Sequence, residues 1–332
     1  MTRVLSGIQP TGDIHLGNFL GALRQWAIDQ HLHDSFYCAV DLHAVTVQQD
    51  PVELRSKTLD TMATLVAVGL DPEVCTLFVQ SHVPYHTELS WLLECTVSFG
   101  ELRRMTQFKD KSVKQGDAGQ EHVSAGLFTY PALMAADILI YDADRVPVGD
   151  DQRQHLELTR DVAERFNSRY GQTFVLPAAA IPTIAARVMD LQEPMNKMSK
   201  SAESPMGTIG IFEDPSSIAK KLKRAITDSD NEVRFDFDAK PGVSNLLSIL
   251  GAATERDPET LADEYNQYGP LKNDTAEAII NALEPVQHRR AELLADPSEL
   301  ERIIARGAEK ASEVAAVTVQ RAKDAMGFLP AG

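Results

Sequence analysis

Apolar positions in the first half of the chain follow two different periods. Short apolar runs rich in β-branched residues predict buried strands at residues 3–8, 35–47 and 74–80. Apolar residues at helical spacing predict helices at residues 19–31 and 51–69. Strands that alternate with helices in this way predict an α/β fold with a parallel sheet covered by helices.

The same pattern continues to about residue 205 and then changes. A helix over 130–141, a strand over 145–148 and a helix over 152–169 follow a polar, lysine-rich stretch at 103–126. After Pro215 the spacing is helical almost throughout, up to Met326. We therefore predict a doubly wound, Rossmann-like domain over 1–205 with an insertion at about 75–130, followed by a helical domain over 206–295. A last helix at 296–332 could pack back on the first domain.

Composition excludes several classes of protein. No apolar run approaches the roughly 18 residues of a membrane span, and the N-terminus lacks a secretory pattern, so we expect a cytoplasmic protein without a membrane partner. Cys38, Cys75 and Cys95 are far apart with apolar neighbours, which predicts buried free thiols rather than a disulfide framework or a metal site.

The formal net charge of -16 argues against a general nucleic-acid binder. A nucleic-acid partner would need local basic patches. The sequence offers two, namely Arg103, Arg104, Lys109, Lys111 and Lys114, and Lys220, Lys221, Lys223 and Arg224. Either patch alone is more typical of a solvated helix face than of a nucleic-acid contact.

The stretch PTGDIHLGN, Pro10–Asn18, joins the first predicted strand to the first helix. A strand end that turns through glycines into a helix N-terminus favours an anion, because free N–H groups and the helix dipole point toward it. Gly12 and Gly17 remove side chains there, and His15 and Asn18 can donate hydrogen bonds to phosphate. The alternative is a plain turn with a helix cap.

A second stretch, KMSKS at Lys197–Ser201, lies in a loop rich in lysine, serine and glycine. Two ammonium groups three residues apart on a mobile loop can neutralise the charge that develops as pyrophosphate leaves a triphosphate. A short lysine–serine loop is usually only solvated, but five fixed residues are rarely matched by chance.

A third group lies on one helix face, because Tyr130, Met134 and Asp137 are spaced four and three residues apart. A carboxylate among apolar residues needs a partner. That partner is either an internal arginine or a ligand donor such as an indole N–H. Nearby, Asp150 or Asp151 could cap the helix that begins at Gln152.

Taken together, H-x-G-N in the first turn and KMSKS much later resemble the class I aminoacyl-tRNA synthetases. The detail is similar to the bacterial tryptophanyl-tRNA synthetases over nearly the whole chain. The similar segments include SGIQPTGDIHLGNFLGALRQW, AVDLHAVTVQQDP, GELRRMTQFKDK and KPGVSNLLSI, in the family's order. Asn18 stands where the general class I pattern has a second histidine, a change that the tryptophan and tyrosine subgroup tolerates.

The resemblance implies roles for particular residues. It implies catalytic roles for His15, Asn18, Lys197 and Lys200. It implies an ATP site at Gln9, Pro10, Thr11, Gly17, Asn18, Gly149, Asp150, Asp151, Val188, Lys197, Met198, Ser199, Lys200 and Ser201. It implies a tryptophan site in which Asp137 reads the indole, lined by Leu5, Gly7, His43, Tyr130, Met134, Asp137, Val146 and Gln152.

The implied activity is tryptophan–tRNA ligation with ATP, L-tryptophan and tRNA(Trp) as partners, in a homodimer. Mg²⁺ would accompany ATP and be held mainly by its phosphates, so no dedicated metal motif is expected. The nearest rival is a tyrosyl-tRNA synthetase, and the order of the segments favours tryptophan. A small-molecule adenylyltransferase would not explain KMSKS before a long helical region, and a non-catalytic nucleotide-binding protein would not explain intact motifs.

Overall fold

Five parallel strands form one sheet in the computed structural model, which describes residues 2–109, 124–147, 149, 152–180, 188–199 and 204–330. The strands are β1 (Arg3–Ile8), β2 (Asp34–Ala39), β3 (Thr76–Val79), β4 (Arg145–Pro147) and β5 (Ala178–Ala180), in the spatial order β3-β2-β1-β4-β5. The register between β1 and β2 runs from Arg3 opposite Asp34 to Ile8 opposite Ala39. The predicted parallel sheet and α/β fold class are confirmed.

Helices cover both faces of this sheet. A continuous helical segment follows β1: α1 (Leu16–Asn18), a π-helical turn (Phe19–Leu23) and α2 (Arg24–Asp29). The other helices before residue 205 are α3 (Asp41–Ala44), α4 (Pro51–Ala67), α5 (Tyr85–Glu94), α6 (Phe99–Arg104), α7 (Ala125–Leu139) and α8 (Arg153–Tyr170). Those after it are α9 (Pro215–Lys223), α10 (Pro241–Thr254), α11 (Pro258–Ala262), α12 (Tyr268–Ala295) and α13 (Ser298–Met326).

Side chains of the central strands alternate between two buried clusters, one on each face of the sheet. Tyr37 and Ala39 of β2 belong to one cluster, and Phe36 and Cys38 belong to the other. This alternation follows from the two-residue period of a strand. The first cluster continues into α10 and α12 through residues such as Val243, so the helices after residue 205 share buried apolar contacts with the sheet domain.

The last helix, α13, packs against the edge strand β3. A Cβ added at Gly307 would lie 1.6 Å from the backbone oxygen of Leu77, so the helix approaches the strand backbone directly. Farther along α13, Ala311 and Ala315 enter the second cluster. The helix thereby covers a sheet edge that would otherwise expose unpaired backbone groups.

Two predicted elements have a boundary that is wrong by five residues or more. The strand predicted over 35–47 ends at Ala39, and the chain turns into α3 because the Asp41 carboxylate accepts hydrogen bonds from the backbone N–H and the hydroxyl of Ser81. The helix predicted from residue 130 begins at Ala125, because the Ser124 hydroxyl accepts from Leu127 N and caps it five residues earlier.

The helical prediction after Pro215 also fails for the segment between α9 and α10. There the Lys240 ammonium is buried and lies 3.1 Å from Asp228 Oδ1 and 3.3 Å from Asp230 Oδ2. These contacts join the two ends of the segment and thereby stabilise its irregular backbone. The sequence prediction for the thiols is likewise wrong at one position, because Cys95 is exposed while Cys38 and Cys75 are buried.

Among the described helices, none combines the length and the apolar character needed to cross a bilayer.

Candidate active site

Predicted site residues follow the carboxyl ends of β1, β2 and β4, and a further polar residue follows the end of β3. Ile8 leads into the Gln9–Asn18 turn, Ala39 into His43, Val79 into Gln80, and Pro147 toward Gln152. The strand order reverses between β1 and β4, and ligands in open α/β sheets bind at such a switch point. The fold therefore places the predicted ligand-binding residues at one edge of the sheet.

The opening turn forms a reciprocal cap at the start of α1. Asn18 N donates to His15 Nδ1 at 3.3 Å, and His15 N donates to Asn18 Oδ1 at 3.3 Å. Because Nδ1 accepts a hydrogen bond, a neutral imidazole carries its proton on Nε2. The same two residues thus cap the helix, and His15 Nε2 and Asn18 Nδ2 are nitrogen atoms of the kind that donates to phosphate. The two interpretations of this turn from the sequence, an anion site and a helix cap, are therefore compatible.

Gly12 and Gly17 are required by geometry in this turn. Gly12 has a φ of 66°, which L side chains rarely adopt. A Cβ on Gly17 would lie 3.0 Å from the His15 imidazole atoms Cε1 and Nδ1, so a larger residue would displace the ring. These positions explain why the stretch carries two glycines.

The first residues of KMSKS lie beside this turn. A Cβ on Gly17 would be 3.7 Å from Met198 Cβ, and Met198 N donates to Val188 O at 3.1 Å. The turn is also joined to the segment after the motif, because Leu16 N donates to Ile209 O at 2.8 Å. Lys197 is exposed next to buried Met198. The two signature motifs therefore meet in space.

A cavity of about 500 Å³ lies at the carboxyl ends of β1 and β4. Its volume is within the range of small-molecule sites. All eight residues that the resemblance assigns to tryptophan line it: Leu5, Gly7, His43, Tyr130, Met134, Asp137, Val146 and Gln152. Gln9, from the predicted ATP set, lines it too. A Cβ on Gly7 would lie 2.8 Å from Val40 Cγ1, so glycine at this position leaves room for the Val40 side chain beside the cavity.

Asp137 is the buried charge of the cavity and makes three hydrogen bonds with other side chains. Its Oδ2 accepts from His43 Nε2 at 2.7 Å, and its Oδ1 accepts from Gln80 Nε2 and His86 Nδ1, each at 2.7 Å. Burial alone would raise the pKa of Asp137, but the charges and hydrogen bonds of the two histidines outweigh it and hold the pKa well below its ordinary value. The carboxylate is therefore ionised and can only accept.

Tyr130 stands beside this carboxylate on α7. Its hydroxyl lies 2.8 Å from His155 Nε2 and donates toward Gln107 Oε1 at 3.3 Å. Burial raises the pKa of Tyr130 to about 12, so the phenol stays protonated at neutral pH. Gln152 precedes α8 on the same side of the cavity.

Comparisons with known proteins decide the family. The model of the family described as tRNA synthetases class I (W and Y) matches residues 1–284. The chain belongs to this family.

Within the family, the chain is similar to enzymes named for tryptophan. It is 54% identical to tryptophan–tRNA ligase 2 of Streptomyces avermitilis, over 99% of this chain and 98% of that protein. The structure of tryptophanyl-tRNA synthetase from Mycoplasma pneumoniae has a TM-score of 0.91 and 37% identity, covering 99% and 98% of the two chains. The Campylobacter jejuni enzyme, complexed with ADP and tryptophan, has a TM-score of 0.82 and 34% identity, covering 98% and 100%.

Other residues of this class I site were not found from the sequence. His86, Gln107 and Cys38 line the cavity, and Gln80 contacts Asp137 from the end of β3. Gln80 directly follows a strand, and a polar residue at that position is a signal that could have been used. The alternatives for the Asp137 partner named a buried arginine or a ligand, whereas the structure places histidines and a glutamine there.

Several predicted residues lie outside the described ranges. Asp150, Asp151, Lys200 and Ser201 from the ATP set are among them, as are Lys111 and Lys114 of the first basic patch. Gly149 is described and exposed.

Proposed function

We propose that this chain is a tryptophan–tRNA ligase. It activates L-tryptophan with ATP to give tryptophanyl-adenylate and pyrophosphate, and then transfers the tryptophanyl group to the 3′-terminal ribose of tRNA(Trp). The observation that carries the proposal is the cavity built around one ionised acceptor, Asp137, in a chain 54% identical to a tryptophan–tRNA ligase. An indole N–H is a donor only, and it matches an acceptor that cannot donate.

In the first step, a carboxylate oxygen of tryptophan attacks the α-phosphorus of ATP, and the bond from that phosphorus to the bridging oxygen breaks. Pyrophosphate leaves with the bonding electrons. Since the carboxylate is itself the nucleophile, the chain needs to position the two substrates and stabilise charge. Tyr130 and Gln152 are proposed to hold the α-amino group, which leaves the carboxylate directed toward the β1 turn.

The phosphates of ATP are proposed to lie over the turn that holds His15, Gly17 and Asn18. Gln9, Pro10 and Thr11 would border the nucleotide, with Gly149, Asp150 and Asp151 at the ribose and Val188 beside adenine. Lys197 and Lys200 would neutralise the departing pyrophosphate, with Met198, Ser199 and Ser201 shaping their loop. The proximity of Gly17 and Met198 supports one phosphate site formed by both motifs.

Mg²⁺ enters this proposal with ATP. Within the described ranges, no group of three or more His, Cys, Asp or Glu side chains could hold a metal ion. The phosphate oxygens and water would be its ligands, since Mg²⁺ keeps several waters and few protein ligands. When bound, the ion would offset phosphate charge.

In the second step, a hydroxyl oxygen of the tRNA terminal ribose attacks the carbonyl carbon of the adenylate, and the bond from that carbon to the phosphate oxygen breaks. AMP leaves with the bonding electrons, and the hydroxyl proton is released to solvent. The helical region 206–295 is proposed to bind the anticodon, and residues 1–205 to hold the catalytic site. Lys220, Lys223 and Arg224 are exposed in the last turn of α9 and beyond it, which supports a local phosphate contact, whereas Lys221 is paired with Glu213 at 2.6 Å. A cytoplasmic location, where tRNA is charged, remains part of the proposal.

A homodimer is also part of the proposal. Trp91 on α5 is 65% exposed and Phe99 on α6 is 69% exposed, so this side of the protein carries apolar area that a second copy could cover. Replacing Trp91 by Glu should weaken such a dimer, which sedimentation at several concentrations would measure.

Aminoacylation of tRNA tests the proposed function. With ATP, L-tryptophan and tRNA(Trp), the protein should form tryptophanyl-tRNA in amounts that depend on all three. Pyrophosphate exchange without any acylated tRNA would instead favour a small-molecule adenylyltransferase. Absence of both reactions would favour a non-catalytic nucleotide-binding protein.

A further inference from the structure

The Oδ1 atom of Asp137 is engaged by two buried donors from different elements. Gln80 follows β3 and is 0% exposed, and His86 lies on α5 and is 1% exposed; both donate at 2.7 Å. A carboxylate oxygen offers about two acceptor positions. These two donors therefore saturate Oδ1, whereas Oδ2 accepts from His43 and has one position left.

Each of the two donors is itself held in one orientation. Gln80 Oε1 accepts from Leu42 N at 3.1 Å, which directs the Gln80 amide nitrogen toward Asp137. His86 Nε2 lies 2.8 Å from the Tyr141 hydroxyl, and burial raises the pKa of Tyr141 well above its ordinary value. This contact fixes the ring, and because the ionised carboxylate of Asp137 can only accept, the His86 Nδ1 that faces it carries a proton.

We infer that Gln80 and His86 are positioning residues for tryptophan recognition: they hold Asp137 so that only Oδ2 accepts the indole N–H. The inference rests on the proposed function. His86 lines the cavity itself, whereas Gln80 contacts Asp137 from behind the cavity lining. Without them, the carboxylate could rotate and offer the indole a poorly aligned acceptor.

Two ligands of matched shape can distinguish a positioning role of Gln80 and His86 from a purely structural role. L-tryptophan and 3-(3-benzothienyl)-L-alanine have nearly the same shape, but the second has sulfur in place of the indole N–H. The dissociation constants of both would be measured by calorimetry on the full chain, for the wild type, Gln80→Met and His86→Leu. The control His82→Leu removes an exposed histidine near by.

The expected result is selective. Tryptophan binding should weaken about tenfold in Gln80→Met and His86→Leu, and analogue binding less than threefold, because only tryptophan uses the aligned acceptor. In His86→Asn, the amide nitrogen can replace Nδ1 as donor, so most of the preference for tryptophan should return. The His82→Leu control should retain the wild-type ratio.

Two results would overturn the inference. One is an unchanged ratio of the two dissociation constants in Gln80→Met, and the other is an equal loss for both ligands, which indicates structural support only. If His86→Leu fails to fold, Gln80→Met decides alone. If the wild type activates tryptophan but the variants keep the wild-type ratio of dissociation constants, this inference is refuted. If the wild type does not activate tryptophan, the proposed function is refuted.

Discussion

Replacing Asp137 by Asn removes what an indole N–H requires of this position, an acceptor oxygen at the Oδ2 position. The Asn amide must place its oxygen at the Oδ1 position, where Gln80 and His86 both donate. Its NH₂ group then occupies the Oδ2 position and faces His43 and the indole. His43 can change tautomer and accept, but an indole cannot, so the conflict remains with the ligand.

The magnitude follows from the hydrogen bond that is lost. A hydrogen bond to a charged group contributes about 1.5–3 kcal/mol, which corresponds to roughly ten- to a hundredfold in affinity. We therefore expect the KM for tryptophan in pyrophosphate exchange to rise by that factor in Asp137→Asn.

The assay needs a matched control. Asp161 is exposed on α8, so Asp161→Asn makes the same chemical change outside the cavity and should leave the KM unaltered. If Asp137→Asn keeps the wild-type KM for tryptophan, the carboxylate does not read the indole and the reasoning is refuted.

Three other predictions concern separate parts of the chain. Lys197→Ala should lower kcat for exchange by roughly a hundredfold while the KM for ATP changes only a few-fold, and equal effects on both would indicate uniform binding instead. Gly307→Ala should reduce the free energy of unfolding by about 3 kcal/mol or more, because its Cβ meets a strand carbonyl, whereas Gly269→Ala, with open space around it, should be nearly neutral in the same denaturant titration. The Arg165 hydrogen bond outweighs partial burial and lowers the pKa of Glu101 to about 2, so this pair stabilises the fold fully above about pH 5 and less as the pH falls toward 2. The stability difference between the wild type and Glu101→Gln should shrink over that range, and a constant difference would contradict it.

Much of the fold was predictable because local patterns and tertiary packing agree. The strands at residues 3–8 and 74–80 are buried on both faces, so their apolar runs are direct signals. The end of β2 was not predictable, because it depends on a hydrogen bond between Asp41, inside the predicted strand, and Ser81, in the segment that follows β3. That contact depends on the neighbouring chain segment and not on the sequence of the run.

The functional site was also predictable only in part. Motif spacing and family resemblance selected residues that the fold places around one cavity, including Asp137 and Tyr130. The donors Gln80 and His86 were missed because their contact with Asp137 depends on tertiary packing, and the only local signal was the polar Gln80 directly after β3. They are brought to it by β3 and α5, through packing that a single sequence does not display.

The most direct test of the central claim is amino-acid-dependent pyrophosphate exchange, measured with tryptophan and with tyrosine in the same preparation. Asp137 could also accept from a phenol, so the choice between the two amino acids must be measured. We predict rapid exchange with L-tryptophan and a far lower kcat/KM with L-tyrosine. Faster exchange with tyrosine, or no exchange with tryptophan, would contradict the account.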